Sequence, residues 1–314
     1  MPTGFGWWFK TQYQKNQWEA MEYRGREYQQ IIYEKLSDRI VRITFNRPER
    51  RNALNDQMYN EFQAGLHRAN DDPQVRVVII RGAGPCFGSG HELSSPKGEE
   101  SPPVHPSLNP TLVDYFGFER RRCGKQDDAQ QYPKILISQV HGYCLGASEE
   151  IAAISDIVIA DEEATFGVRG FTRLPFGISN WPGYWPAESN KYWGGKLAPE
   201  ISGRQAEEMG TITKAVKKED LEAEVLKWAN ALAQLPLEVI AIYKEWLCGT
   251  MDMLGMGTSY RTHYGKHHTL QYVRFRPEEV NLYKEKKDSS LKGFIKKRRA
   301  SATVEDKGGP QRSG

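Results

Sequence analysis

At 314 residues, with 43 Lys and Arg against 40 Asp and Glu, the chain carries a formal charge of +3. That excess is too small and too dispersed to mark nucleic acid as a partner, and the length suits one large core with appended ends. The four cysteines, at 86, 123, 144 and 248, form no Cys-x-x-Cys or Cys/His metal spacing, and no apolar run reaches transmembrane length. The expectation is therefore a soluble, cytoplasmic protein with no metal, no disulfide framework and no membrane span.

Residues 1–30 interleave Trp7, Trp8, Phe9, Tyr13, Trp18, Tyr23 and Tyr28 with charges of both signs, as an arm packed on a core or a neighbouring subunit would. From Ile31 the pattern changes. Ile31–Leu36 and Arg39–Asn46 alternate apolar and polar residues around Ser37-Asp38, which predicts two antiparallel strands. Arg47 to Asn52 is a breaker-rich loop. Asn55 or Asp56 then caps a helix through about Asn70, with Met58, Phe62, Leu66 and Ala69 on one face.

Val75–Arg81 is a β-branched run of the kind found in strands buried on both sides, and a turn of small residues, Cys86 to Leu93, follows it. Residues 94–111 read as a loop, and a helix is expected from about Thr111 to Gln131. Ile135–Val140 is another buried strand. Val140-His141-Gly142-Tyr143-Cys144-Leu145-Gly146-Ala147-Ser148-Glu149-Glu150 then makes a second turn of small residues before helical spacing resumes at Ile151. Backbone N–H groups near Ala147 should point outward, and such groups can hold a developing oxyanion. The local pattern also fits an ordinary strand-turn-helix connection.

Asp156–Ala160 and Ala164–Gly167 add two extended pieces, so strand and helix alternate as in an α/β protein with parallel crossovers. Residues 168–200 form a long loop rich in Trp, Gly and Pro, including Trp181 and Trp185, and loops of that length tend to be functional. Helices are expected at Ile201–Gly210, Asp220–Gln234, Leu237–Gly249 and Thr258–Tyr272, with Ile212–Val216 extended between the first two. The organisation is an arm (1–30), a core (31–200), a helical region (201–283) and a basic tail (284–314).

Five ordered stretches together resemble the crotonase superfamily, the enoyl-CoA hydratase/isomerase family. They are Ile43-Thr44-Phe45-Asn46-Arg47-Pro48 with Asn52-Ala53-Leu54; Cys86-Phe87-Gly88-Ser89-Gly90-His91-Glu92-Leu93; Val140 to Ala147; Asp156 to Ala160 with Ala164 to Gly167; and Ile201 to Gly210. The resemblance implies an α/β, crotonase-like spiral of ββα units with a C-terminal helical region, assembled as a homotrimer or homohexamer. It also implies an acyl-CoA thioester as substrate, with coenzyme A entering as part of it and no separate cofactor.

Carried over residue by residue, the resemblance assigns the thioester oxyanion hole to the backbone amides of His91 and Ala147, and the general acid/base to Glu150. Glu149 is the alternative, since neighbours on a helix point about 100° apart and only one should face the substrate. Glu92 is read as a structural cap on its turn. Coenzyme A would lie against Arg47, Arg51, Ala53 and Leu54 and the close backbone at Gly90 and Gly146, with Arg50 nearby and Arg120–Arg122 a weaker candidate.

The second hydratase glutamate should stand three residues beyond Phe166-Gly167, and Gly170 occupies that place. Two carboxyl groups serve hydration because one proton is delivered while another is removed. Tyr115, Glu119, Tyr143, Arg169 and Arg173 are the candidate replacements, and Trp181 and Trp185 could wall an aromatic or cyclic acyl group. The simplest reading is an enoyl-CoA hydratase-type lyase. The alternatives are C–C bond hydrolysis of a cyclic oxoacyl-CoA, double-bond isomerisation, and a non-catalytic CoA-binding protein of the same fold.

Overall fold

A computed structural model describes residues 27–92, 132–167 and 200–253. The expected helices at 111–131 and 258–272, the 1–30 arm up to residue 26, the long 168–199 loop and the basic tail lie outside the described residues.

The chain opens with strands β1 (Ile31–Ser37) and β2 (Ile40–Phe45), antiparallel as the alternation predicts. Helix α1 (Asp56–Asp71) follows, started by Asn55, whose side chain accepts the Met58 amide. β3 (Val77–Gly82), β4 (Ile135–Val140), β6 (Ile157–Asp161) and β9 (Lys214–Val216) join β2 in parallel, giving the order β1-β2-β3-β4-β6-β9. After β4 and again after β6 the chain steps out of this sheet into a smaller one. That sheet contains β5 (Tyr143–Leu145), β7 (Thr165–Gly167) and β8 (Ile201–Ser202).

Both faces of the large sheet are covered, which explains why its strands are continuous apolar runs. Val78 and Ile80 share one face with Val41, Ile43 and Phe45 and pack under Met58, Phe62 and Leu66 of α1. Val77 and Ile79 alternate to the other face with Ile137 and Ile159, and meet Leu221, Val225 and Ala229 of helix α4 (Leu221–Leu232). Gly65 lets α1 ride low on β2, since a methyl there would come within 3.1 Å of Ile43 Cδ1. Phe45 sits edge-on to both Phe62 and Phe87, at ring-centroid distances of 5.3 and 5.7 Å, and so links sheet, helix and first turn.

Several elements differ from expectation at their ends, two of them by more than a shortening. Ile201–Ser202 pairs with β7 rather than starting a helix, and Ser202 instead caps a short helix α3 (Gly203–Glu208). The reason is a reciprocal cap: Ser202 Oγ accepts the Gln205 amide while Gln205 Oε1 accepts the Ser202 amide. Helix α5 (Leu237–Met253) runs four residues beyond the expected end at Gly249.

Candidate active site

The two turns of small residues meet. Residues 87–92 run as an extended piece between two backbones. On one side the amides of Phe87 and Gly88 donate to the carbonyls of His141 and Tyr143, both at 2.8 Å, and Leu145 donates back to Gly88. On the other side Ser89 donates to the Arg51 carbonyl, Leu54 to Gly90 and Glu92 to Leu54. In this last pair Leu54 bonds to the residues before and after His91, as in a parallel bridge. The amide of His91 is thereby turned away from Leu54.

That turn begins helix α2 (Ala147–Ala153). The amides of Glu149 and Glu150 both donate to the Gly146 carbonyl, and the Ala147 amide has no acceptor among the described residues. Gly90 and Gly146 make the approach of the two turns possible. Gly90 has φ +88°, and a methyl on it would lie 2.8 Å from the Leu145 carbonyl oxygen and 3.5 Å from the Ala147 nitrogen. Gly146 has φ +54° and faces the Gly90 Cα, which a methyl on Gly146 would meet at 3.8 Å.

One side chain ties the turns together, and the sequence reading passed over it. Ser148 Oγ accepts the Gly90 amide at 3.1 Å, inside a side chain that is fully buried. The same hydroxyl occupies the space above Gly88, so no side chain fits at position 88. Asn52 is a second such residue. Buried, with φ +51°, it accepts the Arg47 amide on Oδ1 and donates from Nδ2 to the carbonyls of Ala83 and Cys86. A polar residue of small size directly after Ala147, and an Asn in a tight loop, were the signals available.

The chain as a whole is similar to known proteins. Residues 35–294 match the family model described as enoyl-CoA hydratase/isomerase. The chain belongs to the enoyl-CoA hydratase/isomerase family. A putative enoyl-CoA hydratase, EchA13, of Mycobacterium tuberculosis is 30% identical over 250 residues, covering 75% of this chain and 79% of that protein. An enoyl-CoA hydratase/isomerase from Xanthobacter autotrophicus Py2 superposes with a TM-score of 0.75 at 26% identity, over 88% of this chain and 100% of that one. An enoyl-CoA hydratase from Mycobacterium smegmatis gives the same TM-score at 24% identity, over 90% and 97%, and shows the shared fold. The α/β architecture is thus the crotonase-like spiral, and membership of this family makes the chain an acyl-CoA-processing enzyme.

Glu150 is half-buried on α2, three residues past Ala147, while the neighbouring Glu149 is only 1% exposed and turned into the interior. Burial pushes the Glu149 carboxyl well above the ordinary range, and the charge of Glu150 adds to this. Glu92 is held by two arginines, Arg47 Nη2 at 3.0 Å and Arg50 Nη2 at 3.3 Å. Arg47, 12% exposed, also donates to the Ala53 carbonyl, so its guanidinium is engaged in holding the first turn. Ala53 and Leu54 are buried beside it.

Arg51 behaves differently. Its backbone is left-handed (φ +53°), it is exposed, and its guanidinium lies 5.7 Å from the centre of the Tyr143 ring. Tyr115, Glu119, Arg120–Arg122, Arg169, Gly170, Arg173, Trp181 and Trp185 lie outside the described residues.

Proposed function

We propose that this enzyme is an enoyl-CoA hydratase-type lyase. The thioester carbonyl would sit between the amides of His91 and Ala147, and Glu150 would move the proton. The observation that carries the reading is the bridge between Leu54 and His91 together with the Ser148 tie to Gly90. Both hold the two turns against each other, which supports a pair of amides, one from each turn, as the donors. A donor pair aimed in advance at the oxygen where charge develops lowers the barrier, each donor contributing about 3–4 kcal/mol. Coenzyme A enters as part of the substrate, with Arg51 its most accessible cation in the 47–54 loop, and the proposal includes no further cofactor.

In hydration, Glu150 would accept a proton from water as oxygen adds to the β carbon, and would then deliver that proton to the α carbon of the enolate held by the two amides. Gly170 favours a second reading. With no carboxyl at that place, Glu150 alone suits activation of water for C–C cleavage of a cyclic oxoacyl-CoA, or one-proton double-bond isomerisation. A CoA-binding protein without turnover is the reading from a different class. The test is a panel of 2-enoyl-CoA and cyclic oxoacyl-CoA thioesters followed by mass spectrometry. Water added with the carbon skeleton intact supports the hydratase, ring opening the hydrolase, and tight binding with no turnover the binding protein. Gly170→Glu should raise 2-enoyl-CoA hydration if the missing carboxyl is what limits it.

We also propose a homotrimer or homohexamer. The outer side of α5 presents Ile242, Tyr243, Trp246 and Leu247, each more than half exposed, and an assembly would cover them. Light scattering of the full chain tests this.

A further inference from the structure

His141 is the first residue after β4, and it holds the first turn twice. Its carbonyl accepts the Phe87 amide at 2.8 Å, and Nε2 of its half-buried ring stands 2.9 Å from the Gly84 carbonyl oxygen. A carbonyl can only accept, so Nε2 carries the proton and the ring donates. Burial pushes the ring below its ordinary pKa and the charges of Lys218 and Arg81 add to this, against the Gly84 bond and Asp161, so the ring is neutral near pH 7. From the other side Asn52 Nδ2 donates to the carbonyls of Ala83 and Cys86. The carbonyls of Ala83, Gly84 and Cys86 are thus taken by side chains from two separate loops. Space is closed on both sides as well. A methyl on Gly84 (φ +70°) would come within 2.6 Å of Pro48 Cβ, and one on Gly142 (φ +57°) would overlap the Pro85 carbonyl oxygen.

Resting on the reading that the His91 amide is half of the oxyanion hole, we propose that His141 is a positioning residue for that amide. Its ring seats Gly84, its carbonyl seats Phe87, and the Gly88 and Leu145 amides continue the ladder to Ser148, which takes the Gly90 amide. The piece of chain that leads to His91 is therefore held from the second turn at both ends, by His141 upstream and by Ser148 downstream. Loss of the ring bond leaves the upstream end on backbone bonds and Asn52 alone. A small displacement of one donor is enough to weaken its hold on a developing charge. The resting keto thioester carries less charge on that oxygen and depends on the donor less. An apolar side chain of like bulk would fill the half-buried place, so what the imidazole adds is the donor.

Bound 3-oxobutanoyl-CoA tests this without turnover, because its enolate absorbs in the near ultraviolet apart from its keto form. On the wild-type full chain the bound ligand should show a larger enolate fraction than the free ligand at the same pH. His141→Leu should cut the bound enolate-to-keto ratio by about tenfold or more. Affinity for butanoyl-CoA, which lacks the 3-oxo group and stays in the keto form, should remain within about threefold of wild type. His141→Gln, whose Nε2 can reach the same carbonyl, should recover most of the lost enolate, which a merely structural role would not produce. If His141→Leu does not fold, His141→Phe replaces it. An equal fall in butanoyl-CoA affinity, or a Gln variant no better than the Leu variant, would overturn the proposal. Enolate in excess on wild type and kept in every variant would overturn it alone and leave the oxyanion hole standing. No excess of enolate on wild type would overturn the oxyanion-hole reading and this inference with it.

Discussion

Ser148 Oγ and the Gly90 amide, 3.1 Å apart, join the two turns through one buried hydrogen bond. Ser148→Ala removes the acceptor and leaves the Gly90 amide buried, a loss of about 1–3 kcal/mol. The mobility it gives the first turn should lower kcat more than it raises KM. Gly88→Ala, which drives a methyl into the same hydroxyl, should destabilise the fold by at least as much. Urea unfolding with steady-state kinetics on both variants checks this; equal stability of wild type and Ser148→Ala would remove the hydroxyl from the account.

Glu150→Gln keeps shape and removes the base. Turnover should fall by about 10²–10⁴-fold while thioester binding stays within a few-fold of wild type. Calorimetric titration with a CoA thioester, beside the turnover assay, separates the two quantities. Unchanged turnover sinks the assignment.

Arg47 and Arg51 stand four residues apart and should fail in different ways. Arg47→Ala strips Glu92, 16% exposed, of its closer partner and should lower stability by about 1–3 kcal/mol. Arg51→Ala loses only a contact with the Tyr143 ring, worth about 0.5–1 kcal/mol, and should raise KM several-fold with little change in the unfolding midpoint. Thermal unfolding and KM measured on the same preparations distinguish a fastener from a ligand contact.

Lys134 is buried at the end of α1, where Nζ donates to the carbonyls of Ala69 and Asp72, each at 2.6 Å. Lys134→Met should cost at least about 1.5 kcal/mol, since those last carbonyls lose their donor. Burial pulls the ammonium from its ordinary 10.5 down to about 8. Between those values the unfolded chain binds the proton more than the folded one does. This group therefore adds stability as the pH rises from about 8 towards 10.5. The difference in urea midpoint between wild type and Lys134→Met should widen across that window; a constant difference would show that the proton is held equally in both states.

The strands were legible because their apolar runs and alternation reflect which faces are covered, and Val77–Gly82 with covers on both sides is the clearest case. The turns were legible from their glycines, at Gly90 and Gly146 above all. What the sequence did not disclose was the tie between them. Ser148 and Gly90 are 58 residues apart, and a serine at the first turn of a helix reads as a local cap until the other turn is beside it. Glu149 and Glu150 read alike for the same reason: a helix start specifies the angle between neighbours, but only the packing of β5 and β7 decides which one is enclosed. Nothing local in the sequence shows that Glu92 would reach Arg47, 45 residues before it.

Glu61, enclosed on α1 at 1% exposure, accepts the amides of Gln29, Gln30 and Ile31 on one carboxyl oxygen and Gln57 Nε2 on the other. A side chain of the first helix therefore holds the backbone from two residues upstream of the first strand. A shortened chain starting at Gln29 would keep every one of those donors. One starting at Ile32 would strand an acidic group in the interior, with the loss appearing as poor yield of folded protein rather than as weakened catalysis.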